Sequence, residues 1–219
     1  MLRISATELE AYRLYRQMKW LSHDEFVRRL RGEREDKLVM QAGTAFHAFL
    51  EHADEWEGDE VVQDDFVFIL EFDGVLPLPT IREIKTERQY EIDGQAVTLV
   101  AKADAVNGLI VEDHKLTEEF SAEWYIDSLQ WRIYLSLFGA DAFIYNCFEG
   151  KEVKLKGRHK RKDGKHVWEV TGLHRLTVNR YAGMEREVLQ WLRDLVAFIR
   201  VHVPERIDHS EAFEKQLPF

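Results

Sequence analysis

The stretch from Lys102 to Lys115 constrains the chain most, because it reads as a β-hairpin with its chemistry on one side. Asn107-Gly108 is a preferred two-residue type I′ loop, and the residues flanking it are apolar or small. With that loop setting the register, Val106 faces Leu109, Asp104 faces Val111 and Lys102 faces Asp113. Side chains alternate along a strand, so Asp104 and Asp113 become diagonal neighbours on one face, about 7–8 Å apart at the backbone, and Lys115 continues the row. Ala101, Ala103, Ala105 and Ile110 fall on the other face, small enough to let a helix pack closely. Glu112 and His114 point that way too, which discounts their side chains as ligands. Acidic residues on a hairpin usually form a solvated face. Two carboxylates beside an ammonium are also the parts of a metal-dependent phosphodiesterase.

Other segments decide between these uses. In Gly43–Glu51, helical spacing puts His47 and Glu51 on one face, one turn apart. Gln130 and Tyr134 are likewise four apart, on a helix that opens near Ser121 and is apolar at Leu129, Ile133 and Leu137.

In order, these residues are Gly43 through His47, Asp104, Asp113-His114-Lys115, and Gln130-Trp131-Arg132-Ile133-Tyr134. Together they resemble the PD-(D/E)XK nuclease superfamily, in particular its RecB-like branch. That branch carries a glycine-led helix ending in histidine, a strand aspartate, an aspartate-x-lysine on the next strand and a glutamine-x-x-x-tyrosine helix. Each motif alone is weak, but four in order on the right elements are specific. Ala103 stands where the superfamily often has proline, a departure that removes no ligand.

The resemblance implies an α/β fold with a restriction-endonuclease-like core of order αβββαβ, a central mixed sheet flanked by helices, and added N- and C-terminal helices. It implies Asp104 and Asp113 as oxygen donors to Mg²⁺ or Mn²⁺, hard cations that suit carboxylates, carbonyls and water. His47 would add a nitrogen ligand and the His114 main-chain carbonyl a further oxygen. Lys115 would orient the attacking water and stabilise the transition state, with Asp104, Asp113 and Lys115 as the catalytic set. Gln130 and Tyr134 correspond to a pair that contacts DNA, while Glu51 and Lys102 stand as outer residues of the site. The expected activity is DNA hydrolysis, with an exonuclease of recombination, repair or phage DNA metabolism as the preferred subclass. A catalytically silent nucleic-acid-binding or scaffold module on the same fold is the alternative, and intact Asp104, Asp113 and Lys115 speak against it.

Composition bounds these readings. At 219 residues the chain can bury a full core. We expect a single domain over 1–219, made of an N-terminal helical extension (1–36), a catalytic core (37–150), a basic hairpin (151–170) and a C-terminal helix and tail (171–219). Cys147 is the only cysteine, which excludes an internal disulfide and a four-cysteine iron–sulfur cluster; its apolar setting marks a buried structural thiol. No apolar run approaches the roughly 18 residues of a membrane span and no leader core is visible, so a soluble cytoplasmic protein is expected.

The net charge of −10 is unusual for a polyanion binder, but its distribution is uneven. Lys151, Lys154, Lys156, Arg158, Lys160, Arg161, Lys162 and Lys165 crowd one hairpin, with Asp163-Gly164 as its turn. That run is either a solubilising tip or a finger that grips DNA phosphates, the second of which predicts salt-sensitive binding. The acidic stretch from Glu51 to Asp65 reads as a solvated helix end and loop. Whether the chain forms a homo-oligomer or needs a basic protein partner stays open.

Along the chain, Ser5 and Glu8 form a capping box opening a helix to about Met18, followed by helices around His23–Arg31 and Lys37–Trp56. Strands are expected at Val67–Phe72, Glu83–Ile92, Val97–Val106 and Leu109–Lys115. After the Gln130 helix come a strand at Ala142–Phe148, a hairpin over Val153–Val170 and an amphipathic helix over Val178–Val201.

Overall fold

The Ser5–Glu8 box closes as its spacing predicts. The Glu8 N–H donates to Ser5 Oγ at 3.1 Å, and the Ser5 N–H donates to the Glu8 carboxylate at 2.9 Å. It starts α1 (Ala6–Gln17), and a second box of Ser22 and Glu25 starts α2 (His23–Leu30). The computed structural model describes residues 1–17, 21–33, 37–53, 59–72, 81–154 and 163–208. Among these, α3 (Leu38–Glu51) precedes β2 (Glu60–Gln63), β3 (Phe66–Leu70), β4 (Ile81–Ile92), β5 (Gln95–Asn107) and β6 (Ile110–Thr117). Then follow α4 (Ala122–Asp127), α5 (Gln130–Phe138), β7 (Ala142–Val153), β8 (His166–Asn179), α6 (Met184–His202) and α7 (Glu205–Asp208); β1 (Leu2–Ser5) opens the chain.

The fold is α/β, with a central mixed sheet flanked by helices. Its order is β1-β5-β6-β7-β8-β3-β2, with β4 on the other edge of β5. β4, β5 and β6 are an antiparallel meander, and β7 lies parallel to β6, a pairing that needs the crossover supplied by α4 and α5. The series α3, β4, β5, β6, α5, β7 is thus the αβββαβ order, with the β2–β3 pair inserted after α3.

Two apolar clusters fill the two faces. On one, Leu9, Tyr12 and Phe26 pack with Leu99, Ala101, Ala103, Ile133, Leu137, Phe143, Leu192 and Val196, so α1, α2, α5 and α6 share a core. Ala101 and Ala103 do lie under a helix, as their size allows. On the other, Phe46 and Phe49 of α3 meet Phe68, Phe148 and Trp168. Cys147 is fully buried, and burial pushes its thiol up to about 12, as suits a structural residue.

Several local expectations change. The hairpin loop is Gly108-Leu109, because Asn107 pairs with Ile110 and Val106 with Val111. Gly108 takes φ +60° at the first central position, where a type II′ turn demands glycine, so Asn107 stays in the strand. The shift is two residues, an even number, so it does not by itself exchange the faces. Part of the acidic stretch, Glu60–Gln63, is a strand and not loop, because it pairs with β3. The helix expected from Ser121 is two: Ser128 is extended (ψ 138°) and its Oγ accepts the Gln130 N–H, restarting the helix. Val178 and Asn179 belong to β8, and the last long helix begins at Met184 after Gly183, whose φ is +92°. Lys156, Arg158, Lys160, Arg161 and Lys162 lie outside the described residues.

Candidate active site

The site forms where β5 loses a neighbour. Residues 97–100 of β5 pair with β1, and β6 joins the same edge only at Ala105–Asn107. Between them the edge of β5 is open, and side chains serve the backbone there. Asp104 Oδ2 accepts the His114 N–H at 2.7 Å, and the Tyr134 hydroxyl donates to the Lys102 carbonyl at 2.7 Å. The β4 side is disturbed at the same level: Glu83 drops out of the otherwise regular ladder with β5 and takes φ +56°, a strained value for a non-glycine residue.

Asp104 and Asp113 meet at this gap, each held by a different helix, where a single shared face was expected. His47 of α3 sets Nδ1 3.4 Å from Asp104 Oδ2. Gln130 of α5 donates from Nε2 to Asp113 Oδ1 at 3.3 Å. Burial opposes charge on both members of the first pair, but their mutual bond outweighs it. The imidazole pKa is raised and the carboxylate is held below its usual range, the Lys115 charge and the His114 N–H adding to the second effect.

Asp113 is only 3 % exposed, and Lys115 Nζ lies 2.7 Å from its Oδ2. Burial pushes the Asp113 carboxyl above the usual range; Lys115 pulls it back, and the charge of Asp104 adds to the rise. Burial also disfavours charge on Lys115, but Asp113 and Asp104 keep it an ammonium. Oδ2 of Asp113 is buried, and its close partner is the Lys115 ammonium.

Among the described residues no three His, Cys, Asp or Glu side chains converge as a ready cage for an ion. A cation here would draw on Asp104, Asp113, His47 and the His114 carbonyl, and on water for the rest. Mg²⁺ in particular is usually held by one or two carboxylates and keeps several waters. The donor set therefore fits a hard divalent ion.

The remaining expected residues are placed as follows. Tyr134 is buried, and its hydroxyl fastens α5 to β5, so it is not set to touch a substrate. Lys102 stands across from Lys85 and not from Asp113, and its ammonium pairs with Glu83. The Glu51 side chain is exposed at the end of α3, close enough to favour the Lys102 charge.

Two features were not expected. Arg82 closes the C-terminus of α3, donating from Nη1 to the Glu51 carbonyl at 2.7 Å. Behind β6, the buried His114 ring stays neutral, its pKa lowered to about 4 by burial. There Asn146 donates to Glu112 at 2.8 Å, lies 3.4 Å from His114 Nδ1, and accepts from Arg175 Nε at 3.0 Å. Glu112 and His114 thus face away from Asp113 and Lys115, but the His114 ring lies on the Asp104 side of the sheet, 6.5 Å from the His47 ring, so alternation separates it from one carboxylate only. No local signal announces Glu83 or Arg82, because both depend on strands that pair only in three dimensions.

No family model matches the chain, and no curated protein matches its sequence. Among solved structures it is similar to SSO0001, at 14% identity and a TM-score of 0.50 over 90% of this chain and 77% of that one. It is also similar to LHK-Exo, an alkaline exonuclease from Laribacter hongkongensis, at 13% identity and a TM-score of 0.44 over 93% of this chain and 92% of that one. LHK-Exo in complex with dAMP gives 14% identity and the same TM-score over 91% and 93%. At such identities the likeness concerns the fold, and no helix of the described chain is long and apolar enough to cross a membrane.

Proposed function

We propose that this chain is a metal-dependent deoxyribonuclease of the PD-(D/E)XK superfamily, in its RecB-like branch, and that it acts as an exonuclease on DNA. The observation that carries this reading is the gap itself. It brings Asp113 and Lys115 of β6 to Asp104 of β5, with His47 on Asp104 and Gln130 on Asp113.

Asp104, Asp113, His47 and the His114 carbonyl would hold Mg²⁺ or Mn²⁺. When bound, such an ion acidifies water and neutralises charge on a phosphate. The chain's own groups do the rest. Lys115, kept protonated by its two carboxylate neighbours, places a positive charge where negative charge grows on the scissile phosphate. Gln130 fixes the rotation of the Asp113 carboxylate, and the Asp104 bond to the His114 N–H ties β6 to β5. Tyr134 holds the open edge of β5 at Lys102, so both strands present their side chains from a rigid frame. The basic run at Lys156, Arg158, Lys160, Arg161 and Lys162 would grip the DNA backbone through its charge.

The test is degradation of end-labelled linear single- and double-stranded DNA beside a closed circle, in Mn²⁺, Mg²⁺ or EDTA. Metal-dependent loss of the linear substrates alone is the expected result, and the label then gives the polarity. Binding of DNA with no cleavage of any substrate would replace this reading by a binding module. Neutralising Lys160, Arg161 and Lys162 together should weaken DNA binding and flatten its salt dependence; an unchanged salt slope would make the run a solubilising tip.

A further inference from the structure

One aromatic stack beside the site has no part in the mechanism above. Across the sheet, Lys115 of β6 is in register with Cys147 of β7, and Cys147 with His174 of β8. Strands lie about 4.8 Å apart, so His174 sits on the same row as Lys115, about 10 Å from it at the backbone. Above this row the rings Tyr145, Tyr125, Phe120 and His174 follow one another at 4.8, 5.8 and 4.5 Å between centroids. The last pair is nearly parallel, at 5°.

The outer end of the stack is fixed. Glu149 lies with Oε2 3.0 Å from His174 Nε2 and accepts the Phe120 N–H at 3.3 Å, so a single carboxylate sets both rings. Gly172 makes room for that pair, because a Cβ there would stand 3.3 Å from His174 Nε2. Phe120 covers one face of the His174 ring, yet the side chain keeps 41% of its surface exposed. A flat ring held from behind and still open to solvent is a platform awaiting a further ring.

We infer that the His174–Phe120 stack receives a nucleobase of the DNA strand whose phosphate is engaged at Lys115. The inference rests on the nuclease reading and adds a base-binding position to it. Stacking on a ring is open to every base, because each has a π-face, so the platform confers affinity and a preference for unpaired strand without sequence selection. Its distance from Lys115 is comparable to that from a phosphate to a neighbouring base, which places the stacked nucleotide within one or two steps of the scissile bond. Duplex DNA keeps its bases stacked on one another, and only a frayed or single-stranded end can offer one to His174.

The experiment uses single-stranded oligonucleotides carrying 2-aminopurine at successive positions from one end, mixed in EDTA with the wild type, His174→Ala and His174→Phe. Stacking quenches the probe. Quenching confined to one or two neighbouring positions is expected with the wild type and with His174→Phe, which keeps a ring. His174→Ala should lose the quench and bind about tenfold more weakly. Equal quenching and affinity in wild type and His174→Ala would overturn the platform. Cleavage of the same oligonucleotides in Mn²⁺ with no quenching at any position would also overturn it, while leaving the nuclease reading in place. Neither binding nor cleavage by the wild type would overturn both.

Discussion

The two halves of β5 are one strand put to opposite uses. Val97, Thr98, Leu99 and Val100 are hydrogen-bonded on both edges, to β1 and to β4, and all four are buried, Val97 and Leu99 in the larger core. Four residues later the strand has an open edge, a missing rung at Glu83, and polar side chains in place of apolar ones. The first half obeys the rule that buried backbone groups find backbone partners. In the second, side chains are the partners: Tyr134 serves the Lys102 carbonyl of β5, and Asp104 reaches across to the His114 N–H of β6. Releasing one stretch of ladder is what lets two carboxylates and an ammonium converge, and the fully paired half keeps the strand anchored while this happens.

This contrast can be broken from either end. Truncating the paired half should cost stability alone: Leu99→Ala removes a fully buried side chain between Ile4 and Arg88 and should destabilise by about 2–5 kcal/mol. For a chain of this size that is a fall in Tm of roughly 2–4 °C per kcal/mol, with the cleavage rate per folded molecule unchanged. A cleavage rate that fell with stability would show that the two halves are not separable.

The open half should respond to ions where the paired half does not. Burial raises the Asp113 pKa, so the folded state binds that proton more tightly than the unfolded chain. The resulting stability is fully present below the ordinary carboxylate pKa and is lost as pH rises through the raised value. A divalent ion binds the ionised form and should restore what is lost, by about 2.7 kcal/mol when supplied at a hundred times its Kd. The rise in Tm on adding Mn²⁺ should therefore grow from acid to neutral pH and vanish in Asp113→Asn. A rise independent of pH, or retained in that variant, would place the ion elsewhere.

The smallest effect concerns the substitute partners. Tyr134→Phe keeps the ring in the core but strips the Lys102 carbonyl of its donor, and should cost about 1 kcal/mol in urea unfolding. No change would mean that water replaces the hydroxyl and that the open edge needs no tether from α5.

The same contrast explains what was readable in the sequence. Local signals carried the helices: the Ser5–Glu8 box, the four-residue spacing of His47 and Glu51, and the Gln130–Tyr134 pair all fall on helical elements. Alternation carried β5 and β6 and set Glu112 and His114 away from Asp113 and Lys115, but it misplaced Asp104, which shares its side of the sheet with the rings of His47 and His114. Non-local pairing was the blind spot. β1 is four residues long and is a strand only because β5 accepts it, and β2 stays extended within an acidic stretch because β3 lies beside it. The hairpin turn was misplaced because Asn-Gly and Gly-Leu are both good loops, and the choice fell to the one that puts glycine first. Asp104, Asp113, Lys115, His47 and Gln130 were legible as residue types in order along the chain, and the structure brings them together, though from two sides of the sheet where one was expected. The parting of the strands that gathers them, and Glu83 with its φ of +56°, depends on three strands at once and leaves no trace in any one of them.

The central claim is that charge placed at this gap drives phosphodiester hydrolysis, and Lys115→Ala tests it most directly. Single-turnover cleavage of linear DNA in saturating Mn²⁺ should be measured beside the thermal unfolding of the same preparation. The account predicts a rate lower by about a hundredfold to a thousandfold with the fold intact. Cleavage at the wild-type rate by the folded variant would contradict it.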